Sequence, residues 1–164
     1  MADTPYRNKQ DEWMTPTSVA QICYDLLKAK AGQTVINPFD KVLSNFVKVA
    51  LDNNLNSLNS MTDYLESDHY EYDLLATNPP YSIKDKVIAK VFEYGKPAAL
   101  VLPADSLSGI RRHQLFDYYG YPSIYVPRKR IAYSNGYGEP IKNGVSFTSI
   151  IMLLNVEPSK IYWE

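Results

Sequence analysis

A chain of 164 residues, 45% hydrophobic and 21% charged, has the composition of an ordinary globular domain, which excludes a disordered polyelectrolyte. Its formal net charge of −1 excludes a global basic field, so any contact with nucleic acid falls to a local patch. Cys23 is the only cysteine, which excludes an internal disulfide and a cysteine-rich zinc site, and His69 and His113 lack the spacing of a metal pair.

The first ten residues are polar and read as a loose arm. Thr15-Pro16 opens a helix, with Thr15 as N-cap and Pro16 at the first helical position. Val19, Ile22, Cys23, Leu26 and Leu27 give it an apolar face, Lys28 and Lys30 suit its C-terminal end, and Gly32 stops it. Thr34-Val35-Ile36, ended by Asn37-Pro38, is a buried strand. Ser44 to Asn53 is helical, with Phe46, Val47, Ala50 and Leu51 inward. A weak strand follows around Leu55–Leu58. Tyr72 to Thr77 is a buried strand cut off by Pro79-Pro80. Ile83 to Tyr94 is an amphipathic helix closed by Gly95, and Ala98 to Leu102 is a strand ended by Pro103. A helix covers Arg111 to Tyr119. Ser123–Val126 and Ser146–Leu154 are strands separated by turns at Asn135-Gly136 and Asn143-Gly144.

Alternating helix and strand from Thr15 to Leu102 implies an α/β domain with a mostly parallel sheet, and the strand-rich final third implies an antiparallel pair at one edge. No linker divides residues 1–164, so one domain is expected. No apolar run approaches the roughly 20 residues of a membrane span, and Met1 to Tyr6 lacks a signal-peptide core; a cytoplasmic location is expected.

In an open parallel sheet, ligands bind beyond the carboxyl ends of the strands. The strand Tyr72–Thr77 delivers Asn78-Pro79-Pro80-Tyr81 to that edge. Two prolines fix their own φ and push the preceding residues toward extended conformations, so the turn is rigid. Such a turn suits methylation of an exocyclic amine, whose lone pair is delocalised into the ring. The Asn78 side-chain carbonyl and the Pro79 backbone carbonyl can each accept an N–H and stabilise charge developing on nitrogen. Tyr81 can stack on a base taken out of its duplex.

Asn-Pro-Pro-Tyr after a hydrophobic strand resembles the signature of amino-methyltransferases, above all the DNA N6-adenine methyltransferases. Asp11-Glu12-Trp13-Met14-Thr15-Pro16 is similar to the Asp-Glu-Trp-Tyr-Thr-Pro segment of the small phage enzymes of that family. Asn37-Pro38-Phe39 matches the start of the family's Asp/Asn-Pro-Phe-x-Gly-x-Gly motif. Asp63-Tyr64 stands where the family often has Asp-Phe or Asp-Tyr, and Ser146-Phe147 also fits the phage relatives. The resemblance runs from about Asp11 to Leu154. It implies a Rossmann-like fold, S-adenosylmethionine as cofactor and the adenine amine of DNA as substrate. By position, Asn78, Pro79, Pro80 and Tyr81 would form the catalytic turn. Trp13, Thr15, Pro16, Asn37, Pro38, Phe39, Asp40 and Asp63 would line the cofactor site.

The chain departs from the family in two places. Asp40-Lys41-Val42-Leu43-Ser44 replaces the glycines after Phe39, a degenerate motif in which Asp40 can partly substitute. The acid that usually holds the ribose is missing, leaving Asn56 or Asn59 as the nearest polar candidates. Without a target-recognition domain, selectivity is poor, borrowed from a protein partner, or carried by loops. Two other readings therefore stand beside DNA methylation: an inactive descendant that binds nucleic acid or a protein, and methylation of an amine or amide in RNA or protein. Arg111-Arg112 and Arg128-Lys129-Arg130 are candidate phosphate contacts, each equally readable as solvated surface.

Overall fold

The computed structural model describes residues 13–142, 144–145 and 147–164. The expected arm, Asp11-Glu12, Asn143 and Ser146 lie outside the described residues. Among the described residues, four α-helices, α1 (Thr17–Leu26), α2 (Asn45–Asp52), α3 (Lys84–Tyr94) and α4 (Ile110–Tyr119), accompany seven strands. The strands are β1 (Thr34–Asn37), β2 (Asn56–Asn59), β3 (Leu74–Thr77), β4 (Ala98–Pro103), β5 (Ser123–Val126), β6 (Ser149–Leu154) and β7 (Ile161–Trp163). They form one sheet in the order β2-β1-β3-β4-β6-β5-β7.

The side-chain alternation of each strand sorts the core into two layers. Val35, Leu74, Ala76, Ala99, Val101, Ile151 and Leu153 face α1 and α2, where Val19, Cys23, Phe46 and Ala50 complete one cluster. Ile36, Leu75, Leu100, Leu102, Met152 and Leu154 face the other side, against Val87, Ile88 and Val91 of α3 and Phe116 of α4. A sheet buried on both faces needs continuous apolar strands, which explains the uniform burial of β3, β4 and β6.

β1 to β4 are parallel, as the alternating pattern predicts. The antiparallel strand lies further in than expected: β6 is inserted between β4 and β5 and runs against both. The sheet ends instead on β7, parallel to β5. That strand escaped prediction because three exposed residues carry no periodic signal.

Several local expectations are corrected. Thr15 does not cap α1; Pro16 is extended (ψ 149°) and its carbonyl starts the helix by accepting from Val19 and Ala20. Gly32 does not end α1, because Lys28 already adopts a left-handed φ of 53°. Leu51 does not face the core and is 59% exposed, since it lies roughly 140° around the helix from Phe46; Val49 is buried instead. β3 and β6 start later than expected, at Leu74 and Ser149. Ser44 does cap α2, accepting from the Val47 N–H at 3.2 Å, and Gly95 closes α3 with φ 67°.

Candidate functional site at the carboxyl edge of the sheet

β1, β3, β4 and β5 all end at one edge, and antiparallel β6 begins there, with Ser149 opposite Pro103. Asn37, Thr77-Asn78, Pro103, Val126 and Ser149 are thus brought to one rim by topology alone. Trp13 to Thr15 crosses this rim. Met14 forms an antiparallel bridge with Ser134 from the β5–β6 connection, and the Thr15 carbonyl accepts from Asn45 Nδ2 at 2.8 Å.

Asn78, Pro79 and Pro80 are buried. Asn78 Nδ2 makes a long contact of 3.5 Å to the Trp13 carbonyl, while its Oδ1 is buried without a hydrogen-bond partner. Thr15 Oγ1 and Ser106 Oγ are the other two such atoms among the described residues. A buried acceptor left unmatched costs about 1–3 kcal/mol, so Asn78 Oδ1 is a place where the fold tolerates a deficit that a ligand N–H would relieve.

Four rings, Trp13, Tyr81, Tyr133 and Phe147, pack on one another at this edge of the sheet. Tyr81 meets Phe147 edge-on at 5.4 Å, and Trp13 lies 6.3 Å from both Phe147 and Tyr133. The Tyr81 hydroxyl lies 3.3 Å from that of Tyr133, which is 2.8 Å from Ser149 Oγ. Burial raises the Tyr133 phenol above its ordinary pKa, while hydrogen bonds with Ser149 and Tyr81 act the other way. Tyr81, half-buried, is therefore set by a hydroxyl chain reaching β6.

Asn37 is fully buried and its amide points inward. Nδ2 donates to the Ala76 carbonyl at 2.6 Å and to the Tyr24 hydroxyl at 3.1 Å, and Oδ1 accepts from Ser57 at 2.8 Å. Pro38 is buried, and Phe39 packs edge-on against Tyr64 at 5.9 Å, in the core. Asp40 is 5% exposed and accepts from Thr77 Oγ1 at 2.6 Å. Its charge reaches inward: burial first, and the Asp40 carboxylate second, push the Cys23 thiol well above its ordinary pKa.

The Ser60 and Met61 N–H groups bond the Asp40 and Pro38 carbonyls, tying the β2–β3 connection to this loop. Asp63, three residues past Ser60, is exposed and accepts from the Tyr70 hydroxyl, which pushes the Tyr70 phenol up to about 12. Asn59 ends β2 at this edge, whereas Asn56 begins it and bonds the Gly32 carbonyl at the opposite edge. The two basic clusters also differ. Arg112 is committed to Asp85 at 2.5 Å and to the Asp105 and Ser108 carbonyls, while Arg111 is exposed. Arg128, Lys129 and Arg130 are exposed directly after β5, at the site's rim. A separate recess of about 550 Å³, between Tyr119–Tyr121 and Asn155–Ser159, opens at the far edge.

Thr77 and Ser149 join the site without having been singled out for it. Thr77 could have been read as the polar end of β3; nothing in the sequence marks Ser149.

No family model matches the chain, and the search of curated proteins returns no match. Solved structures do. A modification subunit of a putative type I restriction enzyme from Vibrio vulnificus superposes with a TM-score of 0.57 at 12% identity, over 94% of this chain and 47% of its own. The EcoKI M protein, from a type I restriction enzyme, gives 0.52 at 13% identity, over 87% of this chain and 44% of its own. A putative RNA methyltransferase from Pyrococcus horikoshii gives 0.50 at 12% identity, over 93% and 90%. The chain spans about half the length of the type I subunits it matches. Together with the helix-flanked seven-stranded sheet, these likenesses identify the Rossmann-like fold of S-adenosylmethionine-dependent methyltransferases.

Proposed function

We propose that the protein transfers a methyl group from S-adenosylmethionine to the N6 amine of adenine in DNA. The observation that carries this reading is the unpartnered Asn78 Oδ1, held by a buried double-proline turn at the sheet edge where Trp13, Tyr81 and Phe147 pack together. Asn78 Oδ1 and the Pro79 carbonyl accept the two amine N–H groups and orient the nitrogen lone pair. As the N–C bond forms and the S–C bond breaks to leave a neutral thioether, the same dipoles stabilise the charge developing on nitrogen without reorganising, until one N–H proton passes to solvent. Tyr81 stacks on the extruded base, its angle set by Tyr133 and Phe147. The cofactor supplies an electrophilic sulfonium methyl. Trp13, Thr15, Asp40 and Asp63 hold it, with Thr15 Oγ1 as an open hydrogen-bonding group, while Asn37, Pro38 and Phe39 brace the loop from below. Holding donor and acceptor in line contributes about 7–11 kcal/mol of barrier lowering in favourable cases. Arg111, Arg128, Lys129 and Arg130 contact phosphates. The likeness to type I modification subunits, which this chain half spans, supports a DNA substrate and a partner protein that supplies target recognition.

Nucleosides from DNA and RNA of expressing cells, quantified by mass spectrometry, test the reading. N6-methyladenine in DNA should rise with the wild-type chain and not with Asn78→Ala. Equal levels in both strains remove it, and methylation confined to RNA moves the substrate. A second reading, an inactive scaffold that binds nucleic acid, draws on the buried Asp40 carboxylate and the glycine-free loop. Calorimetry decides it: no heat with S-adenosylmethionine at about millimolar concentration favours the scaffold, whereas binding at about micromolar concentration excludes it.

A further inference from the structure

Among the described residues β7 ends the sheet, yet Ile161, Tyr162 and Trp163 are 61%, 38% and 74% exposed. An apolar edge strand with free backbone groups is a template for another strand, and natural edges are usually blunted by charge, proline or a bulge. None of these interrupts Ile161 to Trp163.

The ladder with β5 shows which groups are free. Ile124 N–H donates to the Lys160 carbonyl and Glu164 N–H to the Val126 carbonyl. With Tyr125 opposite Tyr162, the alternation of a parallel ladder turns the groups of residues 160, 162 and 164 toward β5. The N–H and C=O of Ile161 and Trp163 therefore point outward.

The sequence Lys160-Ile161-Tyr162-Trp163-Glu164 is complementary to its own reverse. We infer that two copies of the chain associate through antiparallel pairing of β7 with β7 about a two-fold axis at Tyr162. Ile161 of one copy then faces Trp163 of the other, and these pairs exchange their outward N–H and C=O groups, as hydrogen-bonded pairs of an antiparallel ladder must. Tyr162 meets Tyr162 on the axis. Lys160 faces Glu164 at both ends, an opposite-charge pair on each side; the Glu164 carboxylate accepts from the Arg128 N–H and has lone pairs left for the ammonium. Aromatic–aliphatic and opposite-charge pairs across strands are the stabilising kinds, and an isologous contact closes after two copies instead of growing into a fibre. The two sheets become continuous, and because the paired strands run oppositely, the two carboxyl edges face opposite ways. One duplex cannot lie across both sites.

A three-residue edge buries less than the roughly 1,600 Å² of a standard interface, so the dimer is weak and concentration-dependent. Sedimentation velocity on the full chain should show a mass of 18.7 kDa at about 10 µM rising toward twice that value near about 1 mM. Lys160→Glu or Glu164→Lys alone places like charges opposite each other and should weaken association roughly tenfold or more. An equimolar mixture of the two variants restores both opposite-charge pairs and should associate like the wild type. Ile161→Pro, which removes an outward N–H and leaves the β5 ladder intact, should be monomeric with an unchanged circular dichroism spectrum. A wild-type mass that stays at 18.7 kDa throughout, or a mixture no better associated than its components, overturns the inference.

Discussion

Replacing Asn37 by aspartate exchanges an NH2 group for an oxygen at the most constrained polar position of the carboxyl edge. The amide now donates to the Ala76 carbonyl at 2.6 Å and to the Tyr24 hydroxyl at 3.1 Å. A protonated aspartate has one donor, so one acceptor goes unserved, at about 1–3 kcal/mol. An ionised aspartate has none and turns an anionic oxygen on the Ala76 carbonyl, with no solvent to relieve it. The folded protein therefore holds this acid protonated, and its folded pKa lies above the unfolded value of about 3.9. The sign follows from proton counts. Above about pH 3.9 the unfolded chain releases a proton that the folded chain keeps, so stability falls as pH rises until the folded pKa is passed. Each unit is worth about 1.4 kcal/mol, so holding the proton to pH 7 costs roughly 4 kcal/mol beyond the lost bond. Urea unfolding of both proteins from pH 4 to 8 measures the difference, with the wild type cancelling the common groups. A penalty under about 1 kcal/mol that does not change with pH would show that the Asn37 amide is not held as described.

Four further outcomes are expected. Thr77→Val keeps the shape of the side chain but removes the 2.6 Å bond to the buried Asp40 carboxylate; chemical denaturation should show a loss of about 1.5–3 kcal/mol. Cys23, fully buried with its thiol held protonated by burial and by the Asp40 charge, should react with a thiol reagent only at the rate of unfolding; stopped-flow traces faster than unfolding would contradict this. Lys129→Ala should lower affinity for nucleic acid and reduce the salt slope by about 1. Arg112→Ala should leave that slope unchanged and lower the melting temperature, because its guanidinium already serves Asp85 and two carbonyls.

Much of the frame was legible because its causes are local. β3 and β4 are short apolar runs ended by proline, and α3 is an amphipathic stretch ended by Gly95, whose left-handed φ closes it. The Asn78 turn could be placed at the edge because a parallel strand has only one carboxyl end. What escaped depends on contacts distant in sequence. Tyr133 reaches Tyr81 across 52 positions, and Thr77 reaches Asp40 across 37; no periodicity encodes either. The Thr15 cap failed because a Thr-Pro start fits two registers, and packing chose the one that leaves Thr15 Oγ1 buried.

The glycine-free loop after Phe39 bears on the proposed cofactor through charge more than through shape. No residue between Pro38 and Asn45 has a positive φ, so the backbone does not need glycine there. Val42 and Leu43 turn outward, at 62% and 74% exposure, while Asp40 turns down toward Thr77. The chain thus keeps an acid beneath the rim, at the position just before the first glycine of the motif it resembles. A buried anion favours a sulfonium over its neutral demethylated product. At an effective dielectric constant of about 20, a neighbouring unit charge is worth at most about 4 kcal/mol, so its loss is expected to weaken a cation roughly tenfold or more. Asp40→Asn keeps the side chain's size and removes the charge. In calorimetric titrations it should weaken S-adenosylmethionine by about that factor and S-adenosylhomocysteine little. Equal weakening of both would mean that Asp40 acts by shaping the loop, and no weakening of either would place the donor elsewhere.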